Sequence, residues 1–227
     1  MATPTKERIL DAAEHLFADL GYAGASVRAI TSKAGVDLGA VRYHYGSKEG
    51  LFSSVVERRV NPLCGERLAM LDAIETEYPN GSVPLEGIIE AFVRPGVQLV
   101  TNAAHGRDWI KLIGRMRVEP GPFVGAVQQP YEEMLARFLK AFELALPQLS
   151  KQELTYRFFF LFGVQINALI DDGTLLALNR KAQTIHQDPE GVMQRLIRFV
   201  TAGMTAPSES KDKEPGEVPD FRRMRLG

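Results

Sequence analysis

The residues of this chain best equipped for chemistry are Arg42, Tyr43, His44 and Lys48, in the run VRYHYGSK. A guanidinium can pair with the O6 and N7 edge of a guanine, and an ammonium or a phenol can hold a phosphate. That is the chemistry of recognition, not of bond making. The other reactive types do not assemble. His15, His44, His105 and His186 stand apart and show no metal-ligand spacing. No Ser or Asp sits in a nucleophile motif, and Gly35 and Gly39 do not build a phosphate loop. Cys64 is the only cysteine, which excludes a disulfide within the chain and fits a reducing, cytoplasmic setting. The expectation is therefore no enzyme, no catalytic residue, no metal and no cofactor.

The local sequence supplies elements to position that run. Ser26 is a good N-cap for a short helix with Val27, Ile30 and Ala34 on its inner side. Gly35 stands where that helix must stop, and Val36 can plug the turn. Asp37 reads as the N-cap of a second helix, Leu38 to His44, with Leu38, Val41 and Tyr45 inward. Ala40, Arg42, Tyr43 and His44 are then left outside. Gly46 closes this helix and Ser47 caps a third, from Lys48 to about Val60. Two short helices joined by a glycine turn make a helix-turn-helix, whose second helix would enter the major groove, the alternative being a plain surface helix pair. The candidate DNA-contact set is Ser26, Arg28, Gly39, Ala40, Arg42, Tyr43, His44 and Lys48.

Residues 6–51 resemble the DNA-binding domain of the TetR family of bacterial transcriptional regulators. The resemblance rests on Arg8, Ile9, Leu10, Ala12, Ala13, Leu16, Phe17, Gly21, Tyr22, Ser26, Val27, Ile30, Ala34, Gly35, Val36, Gly39, Tyr43, Tyr45, Ser47, Lys48 and Leu51, in order and spacing. It implies an all-α homodimer that binds a double-stranded operator and responds to a small hydrophobic effector. VRYHYGSK is similar to the INYHFGSK of a PsrA-like and CecR-like branch, which implies a fatty acid or acyl-CoA. Arg42 departs from the Asn usual there, so base preference does not carry over. A regulator responding to multidrug or aromatic compounds, and a helical protein-binding adaptor without DNA binding, are the alternatives.

With 227 residues, 45% of them hydrophobic and 24% charged, the chain suits one or two ordinary globular domains. The net charge is −1, and residues 1–60 carry eight Lys/Arg against seven Asp/Glu. A DNA contact must therefore depend on where charge is placed, not on its amount. MATPTKERIL has no signal-peptide character, and the longest apolar run, from Phe158 to Ile170, is too short to span a bilayer. The expected organisation is a three-helix head over 1–48, a helical ligand-binding and dimerisation domain over 49–204, and a disordered tail over 205–227.

Along the chain, Thr3 and Pro4 open a helix whose stripe is Ile9, Ala12, Ala13, Leu16, Phe17 and Leu20, and Gly21 ends it. Asn61-Pro62 reads as a restart, Pro95 as a kink or break, and a long helix is expected from Phe123 to Leu146. Ser150 with Glu153 forms a capping box for a helix to about Ile170, and Asp188-Pro189 starts the last helix. The middle helices hold a surplus of bulky apolar residues, which marks Phe92, Trp109, Ile113, Met116, Phe123, Tyr131, Met134, Phe138 and Gln165 as a candidate effector site. Arg115, Gln128 and Asn167 are further candidate polar anchors. The helix from Lys151 is apolar nearly all round, which suggests a second buried face. Phe158, Phe162, Leu169, Leu196 and Phe199 are the candidate dimer contacts.

Overall fold

The computed structural model describes residues 4–80, 83–102, 106–119, 129–170 and 173–208. These fold into ten helices, with no strand among them. In chain order they are α1 (Thr5–Gly24), α2 (Val27–Ala34), α3 (Gly39–Tyr45), α4 (Lys48–Glu77), α5 (Leu85–Asn102), α6 (Gly106–Met116), α7 (Gln129–Ala145), α8 (Lys151–Leu169), α9 (Thr174–Leu178) and α10 (Pro189–Thr205). The all-α expectation holds. No helix among the described residues is long and apolar enough to cross a membrane.

The head closes around α1. Ile9, Ala13 and Phe17 bury completely against Ile30, Leu51, Phe52 and Val55. Phe17 meets Phe52 edge-on at 5.1 Å, and Tyr22 meets Phe52 at 5.2 Å, arrangements that add to simple area burial. Gly21, at φ 72°, breaks α1 before its last turn, so the stripe ends there as expected. Two details differ. α1 begins at Thr5, so Pro4 holds the N-cap place with extended ψ instead of the first helical position, and Thr3 lies outside the described residues. Leu20 is 51% exposed, because the break at Gly21 ends the packing of that stripe one turn earlier.

Neither interior proline breaks its helix. Asn61-Pro62 is not a restart: α4 runs 30 residues through it. A proline inside a helix costs about 3 kcal/mol. Val60, Cys64 and Leu71 are buried on both sides of it, and each well-buried aliphatic side chain returns roughly 1.5–3 kcal/mol. Packing wins. α5 passes through Pro95 in the same way, between buried Phe92, Val93 and Val97. Of the helix expected from Phe123 to Leu146, Gln129–Ala145 is helical, and residues 123–128 lie outside the described residues.

In α8 the residues Leu154, Phe158, Leu161, Gln165 and Leu169 face the protomer's own core. Ser150 accepts the Glu153 backbone N–H at 3.1 Å, while the Glu153 carboxylate turns to Arg157 at 2.8 Å instead of completing the box. Arg157 in turn donates to Met204 O at 2.7 Å and Ala206 O at 2.8 Å, tying α8 to the end of α10. Asp188 caps α10 through the Gly191 N–H. The five-residue α9 is too short to show a period in sequence.

Candidate functional site

Each part of the helix-turn-helix has a cause. Ser26 accepts the Ala29 N–H at 3.1 Å, so its hydroxyl is a cap. Gly35 takes φ 62° and turns the chain, and its N–H and that of Val36 satisfy the Ser32 and Thr31 carbonyls. Arg8 reaches across from α1, donating to Ala34 O at 3.0 Å and Gly35 O at 2.6 Å. It staples the turn to the head, a role that its local sequence does not signal. At the far end Ser47 accepts the Gly50 N–H at 3.0 Å, and a side chain at Gly50 would run into the Tyr45 carbonyl. α3 and α4 therefore cross very closely.

Within α3, Val41 is 2% exposed and Tyr45 donates its hydroxyl to Lys6 O at 2.8 Å. Burial, then the charge of Glu7, pushes the Tyr45 phenol up to about 12. These two residues fix the helix. Gly39, Arg42 and Tyr43 are exposed, Tyr43 at 85%, while Ala40 and His44 are half-buried. Arg28 is exposed on α2. Leu38 is a correction. It is the N-cap, 54% exposed, and does not point inward. It precedes the first turn, so it is off the helix's inner side, and the Asp37 carbonyl accepts the Ala40 N–H. Lys48 is half-buried with its ammonium 4.5 Å from the Tyr22 ring centre, and burial lowers its pKa. It must swing off that ring to meet a phosphate.

Arg58 and Arg59 of α4 clasp Glu14 of α1, which is completely buried. Arg59 makes a two-pronged bond at 2.8 and 2.9 Å, and Arg58 also reaches Asp11 at 2.7 Å. Burial pulls the Arg58 guanidinium down, but hydrogen bonds and charge from Asp11 and Glu14 hold it above its usual range. α6 docks on α1 as well. Arg115 donates to Ala18 O and Asp19 O, both at 2.7 Å, and His15 meets Asp108 at 3.1 Å. Arg115 is thus spent on the head rather than free to anchor a ligand.

The other expected clusters are distributed unevenly. Phe92, Met134 and Phe138 are fully buried, Trp109 nearly so, and Ile113, Met116 and Tyr131 half-buried. Phe92 meets Phe138, Phe158 and Phe162 at 5.2, 5.2 and 4.7 Å. Phe158, Leu169 and Leu196 are buried in the protomer, at 6, 4 and 5% exposure, and Phe162 is packed in the aromatic cluster. Of the expected dimer contacts only Phe199, at 66%, faces out. The outward aromatics of α8 are Tyr156, Phe159 and Phe160, half or more exposed. Sequence reading missed them because a helix apolar all round gives no phase. A cleft of about 540 Å³ opens between α8, α9 and α10, bordered by Val164, Ile170, Leu175, Ile185 and Phe199; of the expected effector residues Asn167 lines it, and Gln128 lies outside the described residues.

Arg67 is also new. It lies on α4, 4% exposed, with its guanidinium 3.9 Å from the Phe92 ring centre. Its Nε donates to Phe92 O at 2.8 Å and its Nη2 to Gln165 Oε1 at 3.1 Å. Gln165 is oriented by donating to Val93 O at 3.1 Å. Burial pulls the Arg67 pKa down to about 10, against smaller upward effects of Tyr131 and Cys64.

α2, the Gly35 turn and α3, with Arg42 and Tyr43 facing solvent, form a helix-turn-helix. Residues 9–55 match the family model for bacterial regulatory proteins of the tetR family, and residues 90–203 match the tetracyclin repressor-like C-terminal domain. The chain belongs to the TetR family of transcriptional regulators. Its matches are regulators and not enzymes. The C-terminal match does not assign the branch that VRYHYGSK resembles.

The repressor AcnR of Corynebacterium glutamicum is 42% identical over 50 residues, covering 22% of this chain and 27% of that protein. This match spans about a quarter of that relative's length. The repressor BepR of Brucella suis is 26% identical over 147 residues, 63% of this chain and 67% of that one. A transcriptional regulator from Saccharomonospora viridis, solved in complex with choline, shares the fold at a TM-score of 0.56 and 18% identity, over 86% of this chain and 95% of its own.

Proposed function

We propose that the protein is a cytoplasmic repressor that binds a palindromic operator as a homodimer and leaves it when a small hydrophobic effector binds. The head, 1–48, carries α3 into the major groove, and 49–204 holds effector and partner. The observation that carries this reading is α3 itself: Val41 and Tyr45 fix it, and Arg42 and Tyr43 are presented to solvent. Arg42 reads a base and Tyr43, His44 and Lys48 set register on phosphates. Tyr156, Phe159, Phe160 and Phe199 supply the partner face, since a monomer rarely leaves such a patch uncovered.

The effector is a fatty acid or acyl-CoA, with an aromatic compound as the rival favoured by the Phe92 cluster. A choline-like cation fits less well, because the Arg67 guanidinium already occupies the Phe92 face. The test is selection of binding sites by the full-length protein from random duplexes. The expected result is an inverted repeat with half-sites about one helical turn, ~35 Å, apart. No enrichment, or a single unrepeated site, rejects the reading.

A further inference from the structure

Arg67 stands out because no carboxylate answers its charge among the described residues. Neither a carboxylate nor a phosphate-like group pairs with it among the described residues; its bonds go to a backbone carbonyl and an amide oxygen. Nη1 has no acceptor among them either. A buried ion normally has a counter-charge, since desolvating it alone is costly. The protein nonetheless invests in holding it. Pro95 cannot donate to the Ala91 carbonyl, and the carbonyls of Phe92 and Val93, next along α5, are those taken by Arg67 and Gln165. Gln165 packs so closely over Gly96 that a side chain there would collide with its amide.

We propose that Arg67 is the anchor of an internal anion site, which takes a small carboxylate with an apolar body from the Nη1 side of the guanidinium. The proposal rests on the reading that this domain binds an effector. The surroundings decide the ligand class. Phe92, Phe162 and Tyr131 form an aromatic wall, suited to an apolar body. One guanidinium balances one negative charge, so a monoanion leaves no net charge buried, whereas a phosphate dianion does. A carboxylate matches the open edge of the guanidinium fork and makes charge-assisted hydrogen bonds. Met134 on α7 is buried and unbranched, a side chain able to repack around a guest. Arg67 belongs to the same helix as Arg58 and Arg59, which clasp the head. A ligand that prefers one position of α4 therefore biases the head, as differential affinity requires.

The experiment compares three probes of equal length, decanoate, decanol and decyltrimethylammonium, by calorimetric titration of the full-length protein without DNA. Decanoate is expected to bind about ten- to a hundredfold tighter than decanol, the value of one charge-assisted interaction, and the ammonium to bind weakest. Arg67→Met is expected to abolish the preference for decanoate over decanol while the unliganded protein melts no lower, since an uncompensated charge has been removed. If decanol binds as well as decanoate, the anion site is wrong and the hydrophobic effector reading survives. If none of the three binds, both fall. Should Arg67→Met fail to fold, Arg67 is a structural clamp in its own right, and the wild-type comparison of acid with alcohol alone decides the proposal.

Discussion

The head pairs its buried carboxylate with two arginines, and the C-terminal helices bury an arginine with no carboxylate beside it among the described residues. In the head the buried carboxylate of Glu14 is held by Arg58 and Arg59, and the aromatics Phe17 and Phe52 are enclosed. Further along the same α4, Arg67 is buried with no carboxylate beside it among the described residues, and α8 and α10 turn Phe159, Phe160 and Phe199 to solvent. On the function proposed above, a head that presents one surface to DNA gains from a clasped buried charge, and a domain that takes a ligand gains from an arginine left without a carboxylate.

The comparison breaks most visibly at α8. Phe159→Glu with Phe160→Glu alters only exposed side chains, so the protomer should fold. If the patch is partner surface, sedimentation should show monomers, and operator affinity should fall about a hundredfold or more as the two half-sites become independent. A dimer unchanged in the double variant would mean that the aromatics are not an interface. Next comes Glu14→Gln, which strands Arg59 and leaves Arg58 only its outer partners Asp11 and Glu7, and should destabilise the fold by ~3 kcal/mol in a denaturant titration. A loss close to zero would show that the head is no better balanced than the core. Ser26→Ala removes a single cap and should cost about 1 kcal/mol. Lys48→Ala should weaken all duplexes alike and reduce the salt slope by about one, provided the ammonium leaves Tyr22 for a phosphate.

The contrast also marks what the sequence could tell. The α2–α3 turn was legible because Ser26, Gly35 and Ser47 act locally, through their own backbone positions. Arg42 and Tyr43 were legible because a two-turn helix with Val41 and Tyr45 inward leaves few places for them. The Glu14 clasp was not, since its partners lie far along the chain and a lone acid on a helix reads as solvated. Pro62 misled because local propensity is silent about the packing that overrides it. Leu38 misled because the helix starts one residue later than its apparent cap implies. On α8, the aromatic run offered no phase, so Phe158 and Phe162 looked as available as Phe159 and Phe160, although the first is core and the second packs on Phe92.

The central claim is that α3 reads bases through Arg42 from a head that is otherwise rigid. Its most direct test is to repeat the site selection with Arg42→Ala beside the wild type. The account predicts the same inverted repeat, with preference relaxed at one position in each half-site and an affinity loss of roughly 1–3 kcal/mol on the parent operator. An unchanged site, or equal weakening on operator and random DNA, would contradict it.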